Sequence, residues 1–353
     1  VTHKEFRIRN IYYVCGVGMR YDDETLSKCD TLNYHGYNII YQGNAIVRPG
    51  VLVENTFFQP GDIYSQSNVD RTYNSFAQLT AVKYTTIRMV EHPDTALLDC
   101  YIVFDRNKRR SVGFELEGTN TAGDLGAAAS ITFSDKNLFK GSEQLSLRVF
   151  GAYEAISNLS GYTGNTYLEY GAEVSLRLIG GIPQAFVPAE KRMLLSSSLF
   201  SLKFNTQERP EFARRIFSGS WSYMWSKRKE DQHKIDLIDL NYIYVPWISN
   251  TFKEVYLDSV SNRNSILKYN YENLLITKFG YTYYYNSSHN NSNRFQRVVY
   301  SFRANAECSG NMLYGINRAF GGTKNEDGQF TLLDIAYAQY VKSDLDFAMR
   351  VNI

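Results

Sequence analysis

Residues 168–178 read LEYGAEVSLRL. Every second side chain is apolar: Leu168, Tyr170, Ala172, Val174, Leu176 and Leu178. The intervening residues are Glu169, Gly171, Glu173, Ser175 and Arg177. A period of two places successive side chains on opposite faces of a β-strand. Two surroundings suit such a ribbon. A soluble sandwich buries the apolar face in its core; a membrane barrel turns that face to lipid and the polar face to a wet lumen.

The bulk composition narrows the choice. The chain has 353 residues and a formal charge of +2, which argues against a nucleic-acid surface as the main function. Aromatics make up 15%, with 28 tyrosines, which suits long aromatic-bearing strands or interfacial girdles. Mean hydropathy is −0.35 and no run of 18 apolar residues occurs, so there is no transmembrane helix. A transmembrane barrel gives the same negative result, because half of each strand is polar. The opening VTHKEFRIRN lacks the apolar segment of a signal peptide, as in a mature or trimmed form. Cys15, Cys29, Cys100 and Cys308 form no C-x-x-C pair, which speaks against zinc or thioredoxin chemistry. Cys15 and Cys29 are either buried free thiols or a disulfide in an oxidising compartment.

The first hundred residues have mixed periodicity. FRIRNIYYV (6–14) and YNIIYQ (37–42) read as strands, and Pro49 is placed to open a short helix. Ser67 can cap a second helix, with Asp70 favourable in its first turn. Val69, Tyr73 and Phe76 would form one apolar stripe there, with Leu79 one turn on. TTIRMVEH and LLDCYIVFD form a hairpin across Pro93-Asp94. The expectation is a small α+β unit over 1–106, three strands with two helices on one face.

From Lys108 onward helical periodicity almost vanishes. Strands are expected at 110–121, 124–137, 143–155, 166–179, 211–226, 234–247, 274–286, 295–308 and 330–350. Leu125, Ala127, Ala129, Ile131 and Phe133 share one face; so do Val298, Tyr300, Phe302 and Ala304. Sandwich strands are typically about five or six residues long. These run to ten or more, the length of a tilted bilayer span. The links at Gly123-Asp124, SDKNLFKGSE, SNLSGYTGNT, LIGGIPQAFVPAEKR, SKRKEDQH and NSSHNNSNR suggest short turns at one end and longer loops at the other.

Enzymatic constellations are weak. His3, His35, His92, His233 and His289 form no H-E-x-x-H, and neither G-x-S-x-G nor a P-loop occurs. Glu115 and Glu117 share a strand face and read as solvated lumen charges rather than a catalytic pair. Arg109-Arg110, Arg214-Arg215 and the KRK at 227–229 read as solvated strand ends and a loop, with contact to lipid phosphates as the alternative.

A family resemblance accompanies these features. The α+β unit followed by RNKRRSVGFELEGTNTAGDLGAAASITFSDKNLFKGSEQLSLRVFGAYE resembles outer-membrane assembly proteins of the BamA/TamA type, in which periplasmic POTRA domains precede a barrel of about sixteen strands. Residues 50–90 resemble the last POTRA domain, on Pro60-Gly61-Asp62-Ile63-Tyr64-Ser65, Thr72 and Leu79. Residues 110–155 resemble barrel strands one to three, and Asn137–Ser142 the turn between the second and third. The style is closest to TamA-like lipoproteins of Bacteroidetes. The family's late arginine-glycine loop is not found, and about nine strands are counted, so the chain reads as one POTRA-like domain (1–106) and the front of an outer-membrane barrel (107–353).

The resemblance implies insertion of other barrel proteins, without enzymatic chemistry or a cofactor. Its partners would be nascent outer-membrane proteins, accessory periplasmic or lipoprotein subunits, and outer-membrane lipids. The first barrel strand would be the gate strand, by position Ser111, Val112, Gly113, Phe114, Glu115, Leu116, Glu117 and Gly118; an incoming strand would add to its edge. Gly113 and Gly118 weaken strand packing there. A short outward belt would thin the nearby bilayer. Two other classes stay open: a two-partner-type secretion channel or other pore, and a soluble β-rich surface protein.

Overall fold

The first strand, β1 (Arg7–Cys15), buries Ile8, Ile11, Tyr13 and Cys15. Its spacing breaks from two because of a bulge: Ile8 pairs with Leu98 while Asn10 pairs with Asp99. The computed structural model describes residues 5–18, 23–43, 45–93, 95–121, 124–156, 166–180, 195–226, 228, 230–254, 271, 273–289, 298–321, 331–332 and 335–351. His3 and most of the loop residues expected at 157–165, 181–194 and 290–297 lie outside them.

After β1 come α1 (Asp23–Ser27), β2 (Asp30–Tyr34), β3 (Tyr37–Tyr41), α2 (Pro49–Glu54), α3 (Gln66–Phe76), β4 (Val82–Glu91) and β5 (Leu97–Arg106). They form one sheet in the order β2-β3-β1-β5-β4. β1 runs parallel to β3 and β5, and β4 pairs antiparallel with β5. The expected three-stranded count becomes five: the four segments named from the sequence are β1, β3, β4 and β5, and β2 is additional. β2 and β3 close around His35-Gly36, both at positive φ (51° and 85°), the geometry of a two-residue type I′ hairpin.

The helices and the segments flanking them cover this sheet: Leu52 and Phe76 of the helices, with Phe58 and Leu79 beside them, share one buried cluster with Ile11, Tyr13, Ile102 and Phe104. Pro49 opens α2 as the sequence suggests. The cap of α3 differs from expectation. Ser65 occupies the N-cap position, without a side-chain bond, and Ser67 lies inside the first turn. The apolar stripe also shifts. Tyr73 is half-exposed, whereas Thr72 is fully buried. The Thr72 hydroxyl accepts the Phe57 N–H (3.0 Å) and donates to the Asn68 carbonyl (2.9 Å), so its polarity is satisfied inside the core. All four cysteines are free thiols.

The second sheet has ten strands: β6 (Arg110–Thr121), β7 (Asp124–Asp135), β8 (Gln144–Ala155), β9 (Thr166–Ile179), β10 (Leu195–Glu208), β11 (Phe212–Ser226), β12 (Asp231–Ile248), β13 (Leu274–Asn286), β14 (Val298–Ser309) and β17 (Tyr340–Val351). Each pairs antiparallel with its neighbour in chain order. Three corrections follow. β10 is an additional strand that the sequence reading did not identify. The single strand expected over 330–350 is a small hairpin, β15 (Thr331–Leu332) and β16 (Ile335–Ala336), followed by β17. A ten-residue helix, α4 (Asn311–Phe320), sits between β14 and β15, flanked by Gly310 and Gly321 at positive φ (68° and 77°).

The expected barrel is an open sheet. β6 and β17 lie at its two edges and are not hydrogen-bonded to each other. Nor do the links sort by end. At the end away from the N-terminal unit, β6 and β7 are separated by two residues of chain and β10 and β11 by three, whereas β12 and β13 are separated by 25 and β14 and β17 by thirty.

Candidate functional site

The ten-stranded sheet has two unlike faces. Register carries the apolar face from strand to strand: Phe114 opposite Ile131, Ile131 opposite Val149, Leu147 opposite Val174, Val174 opposite Leu202, and Phe204 opposite Phe217. It continues to Phe302 opposite Phe347 on the last pair. These side chains are not stacked in an interior. Leu116 is 86% exposed, Phe114 73% and Leu345 73%, and Ile131, Val149, Leu202 and Phe217 are also open. A contiguous apolar surface on this scale needs a non-aqueous neighbour. A 12-residue strand extends about 40 Å, and tilted by about 45° it spans about 28 Å, close to the hydrocarbon thickness of about 30 Å. Exposed aromatics stand toward both ends of this face. Tyr281 and Tyr300 lie toward the N-terminal unit, and Tyr153, Tyr170, Tyr244 and Trp247 toward the other end. Interfacial aromatic rings occupy such positions in membrane strands.

The opposite face is charged and hydroxylated. Glu115 accepts the Ser130 hydroxyl at 2.8 Å and meets Arg148 at 3.5 Å. Glu169 accepts from Asn205 (2.8 Å) and Gln207 (3.3 Å). Lys278 pairs with Asp239 at 2.9 Å, and Lys234 with Asp236 at 2.8 Å. Asp236 and Asp239 are three residues apart and would fall on opposite faces of a regular strand. A bulge corrects this: Trp221 pairs with Ile238 and Ser222 with Asp236, leaving Leu237 as the extra residue. Both carboxylates therefore reach the polar face.

The proposed gate strand is the edge strand β6. Ser111, Val112, Gly113, Phe114, Glu115, Leu116, Glu117 and Gly118 are all exposed. Each pairs with β7 on one side only, from Ser111 opposite Ser134 to Gly118 opposite Ala127. The free side presents a row of backbone donors and acceptors. Val112, Phe114 and Leu116 point to the apolar face, and Ser111, Gly113, Glu115 and Glu117 to the polar one. A Cβ on Gly118 would meet nothing within 4 Å, and one on Gly113 only the Thr132 carbonyl at 4.0 Å. Neither glycine is there for lack of space.

The other singled-out residues lie in the N-terminal unit and hold its shape. Gly61, at φ +97°, donates its N–H to the Ile8 carbonyl at 2.7 Å, beside the exposed Pro60. Asp62 accepts the Gln59 N–H on its carboxylate (2.8 Å) and the Ile8 N–H on its carbonyl (2.9 Å). The Tyr64 N–H donates to the Phe6 carbonyl at 2.8 Å, and its hydroxyl bonds to Gln66. Thr72 and Leu79 are core residues. These bonds all stay within the unit, and none reaches β6.

What joins unit and sheet is the β7–β8 turn. Lys140 and Ser142 adopt positive φ (61° and 65°), and Ser142 is fully buried. The Thr80 hydroxyl approaches the carbonyls of Lys136 (2.7 Å) and Ser142 (2.8 Å). Asn137 donates to the Ile46 carbonyl at 2.8 Å. The Arg48 N–H donates to the Lys140 carbonyl at 2.8 Å, and its guanidinium pairs with the buried Glu143 at 3.0 Å. Glu143 also accepts the Phe139 (3.1 Å) and Gly141 (2.8 Å) N–H groups. Buried Asp135 holds Arg109 and Arg110, at 3.1 and 3.2 Å, where the chain passes from unit to sheet. The sequence predicts a turn for this segment; its docking partners lie 56 to 95 positions earlier and leave no local signal.

No family model matches the chain, and no curated protein matches it. Solved structures similar to it include BamA from Haemophilus ducreyi lacking POTRA domains 1–3, at 11% identity and TM-score 0.31, covering 80% of this chain and 60% of that one. CdiB from Acinetobacter baumannii aligns at 9% identity and TM-score 0.33, covering 88% of this chain and 69% of its own. CdiB from Escherichia coli gives 9% and 0.33, covering 87% and 69%. The chain thus spans about 60–70% of the length of these structures.

Proposed function

We propose that the chain belongs to an outer-membrane protein of the BamA/TamA type that inserts or translocates other proteins. The N-terminal unit is then a periplasmic POTRA-like domain, and the ten-stranded sheet is barrel wall. The observation that carries the reading is the exposed apolar face of a sheet whose other face is charged. Water does not stabilise that arrangement; hydrocarbon on one side and a wet lumen on the other does.

The working part is the edge of β6, where an incoming strand of a nascent outer-membrane protein adds by backbone pairing. The outward apolar run of β6 is short, from Val112 to Leu116. It covers about 14 Å of strand, well under the hydrocarbon thickness of about 30 Å. Beside it the bilayer thins, and insertion costs less. No catalytic group is needed. Accessory periplasmic or lipoprotein subunits would dock on the N-terminal unit.

A benzophenone side chain placed in turn at Ser111, Gly113 and Glu115 tests this during assembly of a barrel substrate in lipid vesicles. Crosslinks to one substrate strand are expected from these positions. Membrane insertion of the chain without any such crosslink would remove the gate role and favour a secretion channel. Recovery of the folded chain from cells without detergent would remove the membrane reading altogether.

A further inference from the structure

The polar face carries a cavity that the edge-strand reading does not use. It has a volume of about 470 Å³ and is walled by residues of β9 to β14, with Gln78, just after α3, at its margin. This size lies within the range of about 300–1,000 Å³ typical of ligand sites. Its lining contains Arg177, Lys234 and Arg303 and no Asp or Glu among the described residues. Lys234 is paired with Asp236, which stands outside the lining. Arg177 and Arg303 form no ion pair with a described residue, although Arg303 stands opposite Asp346 in register. The remaining wall mixes hydroxyl and amide groups of Ser197, Thr282, Tyr284 and Gln232 with the apolar side chains Met224 and Trp225.

We propose that this cavity binds an acidic segment of a polypeptide. Its cations are distributed rather than focused. Arg177 is three strands from Lys234, and Lys234 two from Arg303. At about 4.8 Å per strand these steps are about 14 and 10 Å along the wall. One phosphate cannot serve three such groups, whereas an extended peptide repeats its same-side carboxylates about every 7 Å. A lipid is a poor occupant for a separate reason. The cavity opens on the charged face of the sheet, away from the apolar band that acyl chains would meet. Gln78 places the site where the N-terminal unit meets the sheet, on the route of a chain passing from one to the other. This inference rests on the reading that the protein handles polypeptides, but binding here does not require a working gate strand.

Fluorescence anisotropy on the full chain in detergent micelles tests it. The probe is a labelled seven-residue peptide of alternating Asp and Ser, with its Asn-Ser counterpart as the neutral control. The acidic peptide is expected to bind at least tenfold tighter than the neutral one and to weaken as salt rises. Arg177→Gln combined with Arg303→Gln should cost at least tenfold, while Lys203→Gln, on the same face outside the cavity, leaves binding unchanged. Arg177→Lys with Arg303→Lys preserves charge and should retain binding, which separates loss of the site from loss of the fold. Equal binding of the neutral peptide, or full affinity in the double glutamine variant, would overturn the proposal. So would displacement of the peptide by inorganic phosphate at equal concentration, which would mark a small-anion site. Peptide binding without β6 crosslinks would overturn the gate and leave the cavity standing.

Discussion

The Ser142 hydroxyl accepts the backbone N–H of Ala81 at 2.8 Å, so a buried residue of the β7–β8 turn satisfies the chain just before β4. Removing it leaves that N–H without its partner in a dry contact, at a cost of about 1–3 kcal/mol. Ser142→Ala should loosen the N-terminal unit from the sheet without unfolding either. Hydrogen exchange is expected to accelerate at the Ala81 amide while the β1 and β5 amides stay protected. Unchanged exchange at Ala81 would show that the contact does not hold the junction.

Two glycines on the sheet should respond oppositely to the same change. A Cβ at Gly171 would collide with the Phe204 carbonyl and lie 2.7 Å from Phe150 Cζ, whereas one at Gly118 meets nothing within 4 Å. Gly171→Ala forces backbone apart between β9 and β10 and is expected to cost about 1–3 kcal/mol, as overpacking does. Gly118→Ala should be neutral or stabilising by up to about 1 kcal/mol, through reduced freedom of the unfolded chain. Urea unfolding in micelles separates the two. Equal midpoints for both variants would contradict this geometry.

Legibility in the sequence followed the strength of local alternation. LEYGAEVSLRL and LGAAASITF announce their strands because burial of one face was never needed to see the pattern. β10 escaped because SSSLFSLKFNTQ dilutes its alternation with serines, and the apolar trio Phe200, Leu202 and Phe204 was its only clear sign. β2 escaped because Asp30, Thr31, Leu32 and Asn33 are all exposed and leave no apolar face to read. The bulge at Leu237 hides in IDLIDL, where strict alternation would send one aspartate onto the apolar face. The junction was illegible for a different reason. Thr80, Arg48 and Ile46 meet the 136–143 turn only through the tertiary fold, and no window of sequence contains both partners.

The proposed lipid-facing role of the apolar band predicts that a charge on it is costly. Val149 lies mid-strand on β8 and is 61% exposed. A Val149→Arg change would place a guanidinium near the bilayer midplane, at an expected cost of about 2–4 kcal/mol. Arg148, one residue away on the polar face, offers the contrast, since Arg148→Val removes a charge from the wet side and should not impair insertion. Folding into lipid vesicles at graded urea measures both. A neutral Val149→Arg variant would mean that this face does not meet hydrocarbon.

Two thiols of the N-terminal unit give it an alkaline limit. Burial raises Cys15 from 9.0 to about 11 and Cys100 from 9.0 to about 12. In each case the folded state disfavours the thiolate more than the unfolded state does. Their contribution to stability is therefore complete below about pH 9 and is lost as pH rises through 11 to 12. Tyr13, raised by the same burial, acts in the same direction from a higher starting point. At pH 8 both cysteines should resist iodoacetamide in the folded chain, while the half-exposed Cys29 reacts. Protection of Cys15 and Cys100 should fall steeply above pH 10, at a rate set by opening of the unit. Cys100→Ala is expected to lower stability at pH 7 by creating a small cavity, yet to flatten the decline between pH 9 and 12. Brisk alkylation of Cys100 at pH 8 in the folded chain would place that thiol outside the core and remove the alkaline limit with it.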